Sequence, residues 1–87
     1  MTDVDDRHLA LRLTLDDDGI DDLERALLRA RATELAEVRR RNVRLSAGYG
    51  DATTREVMDD EGRAAQRRFD ALTAVLEALR EARSSQA

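Results

Sequence analysis

Met58, Ala65, Leu72 and Leu79 recur at seven-residue spacing, with Phe69, Val75 and Leu76 beside them. A stripe with that period lies along one face of a helix, and such a face is stable in water only when something covers it. The stretch 57–83 therefore requires a partner. Residues 16–45 offer one, because Ile20, Leu23, Leu27, Leu28, Leu35, Val38 and Leu45 fall on one broad helical face. Together they predict an antiparallel helical hairpin, with helices over about 17–46 and 54–83.

The ends of both helices carry local signals. Asp16 is placed to cap the first, Leu15 and Ile20 to staple it, and Asp17, Asp18, Asp21 and Asp22 to complement the positive end of its dipole. A calcium loop is the competing explanation for these acids, and the spacing rejects it. Thr14 would occupy the first ligand position, and Ile20 directly follows Gly19. Arg39, Arg40, Arg41 and Arg44 form the basic cluster of the chain, in the last turns of the first helix where the dipole favours cations, and Glu37 is spaced to pair with Arg41. The turn spans Ala47 to Ala52, with Gly48 at the left-handed capping position and Tyr49 at its tip. Thr53 and Glu56 then make a capping box for the second helix. Gly62 inside that helix predicts a close approach there.

Ahead of the hairpin the period changes. Leu9, Leu11, Leu13 and Leu15 share one parity while Ala10, Arg12 and Thr14 share the other, which predicts a short strand over 8–15 with one apolar face. A single strand leaves its own backbone groups unpaired, and no other stretch reads as a strand. Pairing with the same strand of a second copy satisfies both; the alternative is an extended arm lying on the helices.

Composition limits the function classes. With one Phe, one Tyr, no Trp and no Pro in 87 residues, the core is aliphatic and the class mainly α. The absence of Cys excludes disulfides, zinc-thiolate centres and thiol nucleophiles. His8 is the sole histidine, and no Glu-x-x-His pair is present, so the sequence predicts no enzyme, no metal site and no cofactor. The N-terminus lacks the apolar run of a signal peptide, and nothing approaches the roughly 20 apolar residues of a membrane span. We expect one cytoplasmic domain over 1–87, with disorder at 1–6 and 84–87.

A turn near Tyr49 and Gly50 sets the register, placing residue i opposite about 100 minus i. Val38 then meets Gly62, Leu35 meets Ala65, and Arg31 meets Phe69, where a cation–π contact is possible. The acidic start of the first helix meets Arg80 and Arg83, and the basic cluster meets Glu56, Asp59 and Asp60. Ala64, Ala71, Ala78 and Ala82 widen the face of the second helix beyond what the first can cover. The expected division is Ala65, Phe69, Leu72 and Leu76 within the chain, and Val75, Ala78, Leu79 and Ala82 between chains. The residues expected to carry association are thus Leu9, Leu11, Leu13, Val75 and Leu79, giving a homodimeric four-helix bundle with paired strands. Tyr49 at the turn, or the hairpin faces, would meet a further protein partner.

The order strand, helix, helix resembles that of the ribbon-helix-helix family of DNA-binding regulators. The resemblance implies an intermolecular ribbon that reads DNA from His8, Ala10, Arg12 and Thr14, with Arg12 the one good base-reading group. The chain departs from the family in two ways. Its second helix begins with Asp51, Glu56, Asp59 and Asp60, which repel phosphate, and its first helix is about twice as long. The mixed charge and net charge of -4 favour a non-enzymatic interaction or assembly module over nucleic acid or membrane binding.

Overall fold

The structure is a computed structural model that describes residues 7–46, 48 and 52–86. Residues 1–6, Tyr49 and the side chains of Leu45, Thr53 and Met58 lie outside the described residues, and with them the capping hydroxyl expected of Thr53. Two helices, α1 (Asp17–Ser46) and α2 (Ala52–Gln86), pack as an antiparallel hairpin. At 1.5 Å per residue α2 is about 52 Å long. The molecule's longest extent is also 52 Å, so α2 alone spans it.

Asp16 starts α1 as expected. Its side chain accepts from the Gly19 amide at 2.7 Å, and its carbonyl accepts from Ile20 at 3.0 Å. Gly48 has φ 75°, the left-handed conformation expected after a helix end. α2 departs from expectation at both ends. It begins at Ala52, which puts Thr53 inside the first turn rather than ahead of it, and it continues to Gln86, past the expected stop at Arg83. Neither Gly nor Pro follows Arg83 to end the helix, and the Ser85 hydroxyl donates back to the Glu81 carbonyl at 3.0 Å.

The interhelical register follows the expectation. Arg31 lies over the Phe69 ring at 5.8 Å from its centroid. Ion pairs fall slightly further along: Arg68 Nε meets Glu34 at 3.0 Å, and Arg41 bridges Glu37 on its own helix and Glu61 on the other. Each side chain leans about one position toward its own helix N-terminus, so facing heads in an antiparallel pair belong to residues one step beyond the facing backbones. At the far end Arg80 pairs with Glu24 at 3.2 Å, and Arg83 reaches Asp21 at 2.9 Å and Glu24 at 2.5 Å.

Asp59 lies near the arginine cluster of α1, sharing a cleft with Arg41, but its ion pair and that of Asp60 go to Arg63 one turn along α2, because neighbours at i+3 and i+4 are in reach without crossing the interface. Asp59, and with it Asp60, holds the exposed Arg63 guanidinium above its ordinary pKa. Gly62 does not serve a close backbone approach. A Cβ there would meet Arg41 Cδ at 3.7 Å, an ordinary contact.

The core is thin. Among the described residues only Ala65 and Leu76 are fully buried, both on α2. The radius of gyration is 17.0 Å, against about 12 Å for a compact chain of this length. A hairpin only 15 Å thick is a single layer, and each helix keeps one side uncovered.

Candidate functional site

Residues 7–16 form neither helix nor strand, and they run as an arm along the end of the hairpin away from the turn. The strand expected over 8–15 is therefore absent from the single chain. Its apolar parity nevertheless has a structural expression. Leu11, Leu13 and Leu15 line an open groove of about 340 Å³ whose other wall is Ile20, Leu23, Val75, Ala78, Leu79 and Ala82, with Arg12 and Arg83 at its polar margin.

The arm covers this groove incompletely. Exposure falls from 82% at Leu9 and 80% at Leu11 to 64% at Leu13 and 43% at Leu15, so the arm lifts progressively from the helices toward its N-terminal end. Val75 on the opposite wall is itself 45% exposed. The residues expected to associate are brought together with one exception. Leu11, Leu13, Val75 and Leu79 share the groove; Leu9 does not line it. Tyr49 lies outside the described residues.

Leu15, Ile20 and Leu23 also line the groove, although the sequence pattern assigned the first two to a helix staple and the third to the hairpin contact. Their signal was present in the shared parity of Leu15 with Leu9, Leu11 and Leu13. A staple residue faces both the helix and whatever precedes it, so the two assignments are compatible. Ala78 and Ala82 line the groove where the widened face of α2 placed them.

A second, smaller cleft of about 190 Å³ lies near the turn, walled by Val38, Arg41, Asn42, Asp59, Gly62, Arg63 and Gln66. Arg41 Nε is buried there without a hydrogen-bond partner, while its two terminal nitrogens are engaged by Glu37 and Glu61. This cleft is polar and its charges are mutually paired, and it holds no nucleophile beside a base. Among the described residues no group of His, Cys, Asp or Glu side chains is placed to hold a metal ion. Among the same residues no helix is long and apolar enough to cross a membrane.

The groove can therefore bury apolar side chains. No protein-family model matches the chain, nor does any curated protein or solved structure.

Proposed function

We propose that the protein is a small non-enzymatic interaction or assembly module of the cytoplasm that works as a homodimer. In this reading two hairpins form a four-helix bundle and the arms over 8–15 pair as a two-stranded ribbon. The supporting observation is the open groove in which Leu11, Leu13, Val75 and Leu79 converge while Leu11, Leu13 and Val75 remain exposed. Large apolar side chains clustered in the open on a molecule with two fully buried residues among those described favour a further partner. Small helical chains commonly gain their missing core by association.

Sedimentation equilibrium at micromolar concentration tests the proposal. A dimeric mass is expected, with a melting temperature that rises with protein concentration because association stabilises the folded state. A strictly monomeric species with a concentration-independent melt would refute it. The competing DNA-binding reading makes a separate prediction, a salt-dependent mobility shift weakened by Arg12→Ala. No shift at low salt would remove that reading.

A further inference from the structure

We infer that the arm of a second copy completes the groove, the two arms pairing antiparallel with Leu11 opposite Leu11 on the dimer axis. The inference rests on the homodimer reading above and adds the register of the paired arms and the place of Leu9. Its first basis is unmet need in the backbone. Among the described residues the sole backbone hydrogen bond outside the helices runs from Ile20 to Asp16, so residues 7–15 have no backbone partner in another described residue. A second arm supplies such partners without displacing the first.

The second basis is Leu9. It shares the parity of Leu11, Leu13 and Leu15, but it lies beyond its own groove and is the most exposed large apolar side chain described. Residues directly opposite in an antiparallel pair point to the same face. With Leu11 on the axis, Leu9 of the partner subunit falls opposite Leu13. The side chain that has no place in its own groove then closes the other.

Charge selects this register from its neighbours. Every register centred on a residue keeps the leucines on one face, and the nearest alternatives to Leu11 are Ala10 and Arg12. Centring on Arg12 sets two guanidinium groups directly opposite, which is destabilising. Centring on Ala10 puts Arg7 opposite Leu13, inside the apolar row, whereas centring on Leu11 moves it out to Leu15, at the end of the row beside Asp16. Centring on Leu11 puts Ala10 opposite Arg12, pairs Leu9 with Leu13 twice, and brings Arg7 of each arm beside the start of α1 in the other chain. That start carries exposed Asp16, Asp17 and Asp18, while residues 7–15 hold Arg7, His8 and Arg12 and no acid. The arm and the helix start are thus complementary across the axis.

The absence of native cysteine makes the test direct. Ala10→Cys, Leu11→Cys and Arg12→Cys chains are oxidised separately, with sedimentation of the unmodified protein alongside. Opposite Cβ atoms lie at about 4.5–5.5 Å and diagonal ones at about 7–8 Å, so Leu11→Cys should cross-link about tenfold faster than the other two. If Leu11→Cys perturbs folding, mixing Leu9→Cys with Leu13→Cys chains decides, since the mixture should cross-link faster than either chain alone. Fastest cross-linking at Ala10→Cys or Arg12→Cys overturns the register. A sedimenting dimer in which no variant cross-links overturns arm pairing and leaves the homodimer standing. A monomer overturns both.

Discussion

The two apolar stripes of α2 are built from the same kinds of residue and meet opposite fates. Toward α1, Ala65 and Leu76 are fully buried and Phe69 and Leu72 are half-buried. About a quarter-turn round the helix, Val75, Ala78 and Ala82 are exposed and Leu79 is half-buried beside the arm. Residue type does not distinguish the stripes. Geometry does, because one helix covers about one side of its neighbour and this hairpin is a single layer 15 Å thick. Apolar surface left over in so small a molecule is what the proposed second copy would cover.

The largest effect expected within the chain is at the inward stripe. Leu76→Ala removes a fully buried side chain and should destabilise the protein by about 2–5 kcal/mol in chemical denaturation. A loss below 1 kcal/mol, on the scale of an exposed position, would erase the distinction between the stripes. Asp16→Ala removes the cap where the arm joins α1 and should cost about 1 kcal/mol. It should also loosen the arm, read as faster proteolysis ahead of α1; unchanged proteolysis would detach the arm's placement from the cap. The smallest effect has the opposite sign. Gly62→Ala finds ordinary contact with Arg41 and should stabilise α2 by about 0.5–1 kcal/mol through helix propensity. A destabilised variant would mean that the helices are packed more closely near the turn than at the groove.

Much of the hairpin could be read before its structure, because its determinants are local or periodic. Asp16 marked the start of α1, Glu37 was spaced to meet Arg41, and the aliphatic period set the Arg31–Phe69 contact. What escaped reading depended on competition between alternatives. Asp59 and Asp60 had candidates on both helices, and the near one on their own helix prevailed. The run past Arg83 to Gln86 reflects a missing stop signal, which a pattern of apolar residues does not report. The arm is the clearest case. Its parity is legible, but a strand is a property of a pair, and a single chain supplies only one member. For the same reason the groove was only half legible: Val75 and Leu79 followed from the heptad pattern, whereas Ile20 and Leu23 join them through the arm's path across the helix ends.

The division of α2 into an inward and an outward stripe is tested most directly by comparing Leu79→Glu with Ala65→Glu, reading helicity by circular dichroism and mass by sedimentation on the same samples. A charge at Leu79 lands in the open groove, so that variant should keep its helices and sediment as a monomer. A charge at Ala65 lands where nothing is exposed, so that variant should lose helicity itself. Equal loss of helicity in both, or a Leu79→Glu chain that still sediments as a dimer, would contradict the account.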